Sequence, residues 1–296
     1  MKIGFIGCVK SSHMALKTLL GLESAEVVAV ITRNASKVNS DFVDLSGLCV
    51  ENCIPFHYED PLSRSDTVEF LKKFELDVIY CIGWSYLLGE ELLALPANGV
   101  IGFHPAKLPE NRGRHPIIWA LALGLSETGS TFFKMDAGAD SGPIVSQELI
   151  EISKGEAAAS LYAKILKVSQ VQLIAFTKKL SDGDFEFIEQ DHSKATYWRK
   201  RSRKDGLIDW RMSADSIHNL IRALSKPYPG AEFCWKGISV PVFSSAVDSN
   251  SKPINCEPGK VLARVGSDLL VKCSGRDAIW IHGLDCKEFP AVGEYL

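Results

Sequence analysis

The first hundred residues alternate short apolar runs with amphipathic stretches, and this alternation limits the fold more than any other feature. Lys2 to Gly7, Glu26 to Thr32 and Asp77 to Ile82 read as buried strands. Helical spacing of apolar residues covers about His13 to Leu22, Asp41 to Asn52 and Asp66 to Phe74. Strand and helix repeated in this order require right-handed crossovers, and hence an α/β architecture with a doubly wound, mostly parallel sheet covered on both faces. With 296 residues, 46% of them hydrophobic, the chain is long enough for more than one core.

A further apolar run, Val100 to Phe103, ends in His104 and a proline. Carboxyl ends of parallel strands open into the crevice where such sheets bind ligands. A histidine there can move a proton near neutral pH if a carboxylate fixes its ring. The loop MDAGADSG, residues 135–142, supplies two aspartates among glycines that let a flat ligand approach the backbone. Asp140 is the natural candidate for the partner of His104, and the loop also offers Asp136. A capping histidine with an ordinary Asx turn would show the same spacing.

Other motifs narrow the chemistry. Gly4 and Gly7 lack the G-x-G-x-x-G spacing that cradles a pyrophosphate, so no nicotinamide cofactor is expected. Arg112 and Arg114, in ENRGRHP before a helix through Ile117 to Leu123, suit either a solvated turn or an anionic ligand. Of the eight cysteines, Cys49 and Cys53 stand one helical turn apart without the partners of a zinc set, and all eight read as reduced, buried thiols. No metal is expected. Cys8, after Gly7 at the end of the first strand, can face the crevice, but no adjacent base marks it as a nucleophile. A net charge of -3 disfavours a general polyanion binder. No run reaches the roughly 18 apolar residues of a membrane span, and the N-terminus enters a strand directly, so a cytoplasmic location is expected.

Glu156 to Leu180 keeps one apolar face at helical spacing and reads as a long helix along the sheet. The polar stretch after it, with the basic run Trp198 to Lys204, has the composition of a connector. From Asp205 the character changes to a helix at Ala214 to Leu224 and short alternating segments at Glu232–Trp235, Val240–Phe243, Lys260–Val265, Leu269–Cys273 and Ala278–His282. The expected organisation is a catalytic domain over 1–190, a linker over 191–204 and a small β-rich, barrel-like domain over 205–296.

The stretch from Gly99 to Gln147, with its LP, RG and MD-G-DSG elements, resembles the signature of the folate-dependent formyltransferases. The later DG-I-W, N-IRA and PYPGA elements resemble the second domain of the two-domain members, so the resemblance covers nearly the whole chain. It implies a Rossmann-like catalytic domain with His104 and Asp140 as the acid-base pair. It places the pterin of formyl-tetrahydrofolate between the loop of Trp84, Tyr86 and Leu88 and the turn of Ala137, Gly138 and Asp140. Cys8, Lys107, Arg112 and Arg114 are the expected substrate contacts. The chain departs from the family at Gly102, where the pattern has an asparagine whose amide donates to the developing oxyanion. A fixed donor of that kind is worth about 3–4 kcal/mol. A backbone N–H, Asn111, His115 or protonated His104 can substitute, or the glycine opens room beside His104 for a different acyl donor.

The expected activity is formyl transfer to a primary amine of a soluble metabolite. The motifs NSDFVDL and GWSYL look like those of sugar-modifying members, which puts a nucleotide-linked amino sugar of surface (lipo)polysaccharide biosynthesis ahead of transfer RNA. An acyltransferase using an acyl-coenzyme A and a non-catalytic folate- or nucleotide-binding regulator are the alternatives. No membrane partner is expected, and a homodimer is left open.

Overall fold

Ile3 to Ile6 are all buried in β1 (Lys2–Ile6), as expected of a strand with both faces covered. The computed structural model describes residues 1–36, 39–60 and 64–296. The chain continues through α1 (Lys10–Leu20), β2 (Glu26–Thr32), α2 (Ser46–Glu51), β3 (Phe56–Tyr58), α3 (Arg64–Leu71), β4 (Val78–Cys81), α4 (Glu90–Leu93) and β5 (Val100–His104). Then follow β6 (Arg112–Gly113), α5 (Pro116–Ala122), β7 (Glu127–Lys134), β8 (Ile144–Glu151), α6 (Ala158–Ser181) and β9 (Tyr197–Trp198). Seven strands form one sheet in the order β3-β2-β1-β4-β5-β7-β8. The first five pair in parallel, and β7 runs antiparallel to β5, with Gly102 opposite Phe133 and His104 opposite Thr131.

The short β3 and the β7–β8 strands were not among the expected elements. β3 has only three residues, too few for alternation to register, and the glycine-rich turn between β7 and β8 masked the strands on either side. α1 begins ahead of its apolar pattern because Ser12 is buried at its start. The Ser12 hydroxyl accepts the backbone N–H groups of Cys8 and Val9, both at 3.1 Å, and donates to the Ile82 carbonyl at 2.6 Å, tying the ends of β1 and β4 together. On one face of the sheet, Tyr80, Phe132, Leu173 and Phe176 share a core, and α6 reaches it.

Two compact units divide the chain. One comprises 1–113, 128–150 and 163–198; the other comprises 114–127, 151–162 and 199–296. In the second, α7 (Ala214–Ala223) packs against α5 and is capped by the Ser213 hydroxyl on the Ser216 N–H. β10 (Ala231–Trp235) pairs with β11 (Ile238–Val242). β12 (Ser244–Val247), β13 (Val261–Val265), β14 (Asp268–Lys272) and β15 (Ala278–His282) form an antiparallel sheet ordered β12-β15-β14-β13. The segment read as a connector carries β9 and, at Arg203–Gly206, a 3-10 turn capped by Ser202 and Asp205. Arg199 and Arg201 both lie over the Trp119 ring, at 5.2 and 4.5 Å.

All eight cysteines are free thiols, but not all are buried. Cys53 is exposed because it sits just past α2 at φ 54°, which turns its side chain outward; Cys234 is exposed on the solvent side of the alternating β10. Both correct the expectation of core thiols.

Candidate active site

β5 delivers His104 to the carboxyl edge of the sheet, where it is only 5% exposed. Its Nε2 lies 2.8 Å from the Asn111 carbonyl oxygen. A carbonyl only accepts, so Nε2 is protonated and Nδ1 faces Asp140, with Oδ2 at 3.6 Å. That gap is too long for a hydrogen bond, but it becomes an ion pair when the ring takes a second proton. Asp140 Oδ2 also accepts the Gly113 N–H at 2.8 Å.

The turn that carries Asp140 is held from both sides. Asp136 Oδ1 accepts the Gly138 N–H at 2.9 Å and the Ser141 hydroxyl at 2.7 Å, so Asp136 closes the turn and Asp140 faces the histidine. Gly142 admits no side chain, since a Cβ there would lie 1.9 Å from the Lys134 carbonyl oxygen. Asp140 itself adopts φ 54°, a left-handed conformation that aspartate tolerates better than most residues.

The chain returns to this turn through Ile188, which exchanges backbone hydrogen bonds with Ile144 at 2.7 and 2.9 Å. Gln190 is thereby buried against the turn, and its amide donates to the carbonyls of Asp140 at 3.0 Å and Gly142 at 2.6 Å. Its Oε1 accepts Arg112 Nη2 at 2.6 Å and Nε at 3.2 Å. Arg112 also donates to the Tyr197 hydroxyl at 2.8 Å and to His192 Nδ1 at 3.1 Å. Nothing in the sequence signals Gln190, which lies far along the chain from both Asp140 and Arg112.

Arg112 therefore corrects an expectation. Expected at a ligand, it is 1% exposed, with its guanidinium turned inward as a brace. Cys8 is likewise buried, its thiol 3.9 Å from the Gly83 carbonyl oxygen and 3.8 Å from Asn39 Nδ2. Burial pushes that thiol up to about 11, which suits neither a nucleophile nor a presented substrate contact. Lys107 is half-buried after β5, where its backbone packs against Gly129. Arg114 lies in the second unit, where burial first, then Arg114, Arg201 and Lys200, hold His115 below its ordinary pKa.

Gly102 does not open a void. A Cβ built there would come within 2.8 Å of Met135 Cγ, 3.0 Å of its Sδ and 3.1 Å of Phe133 Cζ. Met135 thus fills the volume into which a side chain at 102 would project. Of the suggested substitute donors, Asn111 adjoins His104 through its carbonyl, whereas His115 belongs to the second unit.

Trp84, Tyr86 and Leu88 follow β4. Trp84 and Leu88 pack in one apolar cluster with Met135, Cys81 and Ile6. Ala137 and Gly138 are exposed, with the Gly138 N–H already given to Asp136. A flat apolar wall and an open polar turn within the same unit fit a pterin ring. Among the described residues, no group of three or more His, Cys, Asp or Glu side chains could hold a metal ion.

A formyl transferase family model matches residues 4–177, and a model of the formyl transferase C-terminal domain matches 200–291. The fold is similar to that of WlaRD, a sugar 3N-formyl transferase solved with dTDP and 5-N-formyl-THF. That match has 17% identity and a TM-score of 0.71, over 95% of this chain and 97% of that one. An N-formyltransferase from Helicobacter canadensis, in complex with folinic acid and dTDP-3-aminofucose, matches at 17% identity and TM-score 0.73 over 96% and 100%. The phosphoribosylglycinamide formyltransferase of Bacillus halodurans matches at 23% identity and TM-score 0.54, over 62% of this chain and 97% of that one.

Proposed function

Because the chain belongs to the formyl transferase family, we propose that it moves a formyl group from formyl-tetrahydrofolate to the primary amine of a nucleotide-linked amino sugar. The observation that carries this reading is the buried His104 facing Asp140 at 3.6 Å beside an open turn and an apolar loop. The similarity in fold to two sugar N-formyltransferases along almost their whole length supports the sugar over transfer RNA. So does the net charge of -3, which gives little attraction for a polyanion. The filled volume at Gly102 supports the small formyl group over a larger acyl group.

In this reading, formyl-tetrahydrofolate supplies an activated one-carbon acyl group. The amine nitrogen bonds to the formyl carbon as the bond from that carbon to the folate nitrogen breaks, and one proton passes from the amine to that nitrogen. Asp140 Oδ2 is committed to Gly113 and faces His104, so Oδ1 is the oxygen that carries the proton. His104, held at Nε2 by the Asn111 carbonyl, turns Nδ1 toward Asp140, where it can share the one proton in transit. The test is incubation of the pure protein with formyl-tetrahydrofolate and either nucleotide-linked amino sugars or charged initiator transfer RNA. Formylation of a sugar is expected; formylation of the RNA alone refutes the assignment.

A further inference from the structure

Arg33 follows β2 and is 8% exposed, yet among the described residues its guanidinium makes a single hydrogen bond, from Nη1 to the Tyr86 hydroxyl at 2.8 Å. It rests 4.8 Å from the Tyr86 ring centroid and 5.8 Å from that of Trp84. Among the described residues no carboxylate forms an ion pair with it. Beside it, Trp84 Nε1 is buried without an acceptor among the described residues. A buried guanidinium with no ion pair and a buried indole N–H with no acceptor among the described residues are each costly, and the two stand together.

Their place in the sheet matters. From β1 the chain builds outward through β2 and β3, and from β4 it builds the other way through β5, so the topological switch lies between β1 and β4. Ligands of open α/β sheets bind in that crevice at the carboxyl ends of the strands. Arg33, from the end of β2, reaches Tyr86, after β4, and so crosses it. The rim is braced by Ser85 donating to Asn39 Oδ1 at 3.1 Å and by Asn39 against Cys8. Asp41 and Glu59 act on the Cys8 thiol against Arg33, so the neighbourhood has no general positive field. Its ligand must therefore meet the guanidinium directly.

We propose that Arg33 and the Trp84 indole N–H bind the diphosphate of the acceptor substrate, with the sugar extending toward His104. The proposal rests on the nucleotide-sugar reading above. β2 and β5 are three strand spacings apart in the sheet, on the order of 14 Å. An extended nucleotide-linked sugar spans that distance. With the pterin on the side of this loop that faces the Ala137–Asp140 turn, as in the reading above, the Arg33 side is left to the acceptor.

The test is calorimetry of UDP, dTDP, inorganic pyrophosphate, uridine and thymidine against wild type, Arg33→Gln, Arg33→Lys and Trp84→Phe, with folinic acid binding as the check on folding of the Arg33 variants and a thermal melt as the check for Trp84→Phe. Expected are binding of pyrophosphate and the diphosphates to wild type, at least tenfold weaker binding to Arg33→Gln, and a smaller loss in Arg33→Lys, which keeps the charge without the fork. Trp84→Phe, which keeps a ring and removes the N–H, weakens the diphosphates severalfold. The nucleosides and, in the Arg33 variants, folinic acid are unaffected. Equal diphosphate affinity in wild type and a folinic-acid-binding Arg33→Gln overturns the site, as does loss confined to folinic acid. Formylation of a nucleotide sugar with the same KM in both proteins overturns it while leaving the proposed function standing. Pyrophosphate binding through Arg33 without formylation of any sugar supports the anion site and refutes the sugar assignment instead.

Discussion

The side-chain amide of Gln190 donates to the main-chain carbonyl of Asp140 at 3.0 Å and, through its oxygen, accepts the Arg112 guanidinium. The proposed proton carrier is thus positioned by a residue that never faces the crevice. Replacing Gln190 with Leu strands two carbonyls and a buried guanidinium, at a cost of about 1–3 kcal/mol in stability. The expected result is a lowered Tm with kcat reduced roughly ten- to hundredfold, because the carboxylate loses its setting, while KM for formyl-tetrahydrofolate holds. Thermal melts and steady-state kinetics check both halves.

His104 and Asp140 act as a unit under the proposed mechanism, so their losses are not additive. His104→Ala and Asp140→Ala should each fold and each lose most formyl transfer, and the double variant should be little worse than the poorer single. A double-mutant cycle on kcat measures this. Near-wild-type turnover in His104→Ala would remove the pair from the mechanism.

Gly102 and Met135 are complementary, since one supplies the volume that the other fills. Gly102→Asn alone forces Met135 aside and is expected to lower the Tm and reduce turnover. Adding Met135→Ala clears the space, so the double variant should regain stability and, with an amide donor restored, exceed wild-type turnover by up to about a hundredfold. If the double variant stays below wild type, the missing donor is already replaced within the native site.

His115 Nδ1 accepts the Arg201 N–H at 3.2 Å and must be neutral to do so. Burial first, and then the charges of Arg114, Arg201 and Lys200, lower its pKa from the ordinary 6.5. As pH falls below that value the unfolded chain takes up the proton first, so stability is complete above about 6.5 and declines as pH drops through the lowered folded value. His115→Asn, whose side-chain oxygen can take the same N–H and which tolerates φ 57°, should flatten this decline. Denaturant melts between pH 7 and 5 provide the comparison.

Residues in the sequence decided much of the fold through local physics. Buried runs such as Lys2 to Ile6 and Val100 to His104 dictated parallel strands, and the amphipathic 214–224 segment dictated α7. The same logic brought His104 to a strand end and Asp140 to a glycine turn. The tertiary structure decided what no window could show. Arg112 looks the same in sequence whether it meets solvent, ligand or Gln190, because a guanidinium is described by its partners, and these lie in the segment from Gln190 to Tyr197. Gly102 reads as empty space until Met135, brought back by the antiparallel β7, is seen to fill it. Arg33 gives no signal at the end of its strand until the β4 loop folds aromatic rings against it. Periodicity records which way a side chain points, whereas what it meets depends on contacts between distant segments, and those form only when the chain closes.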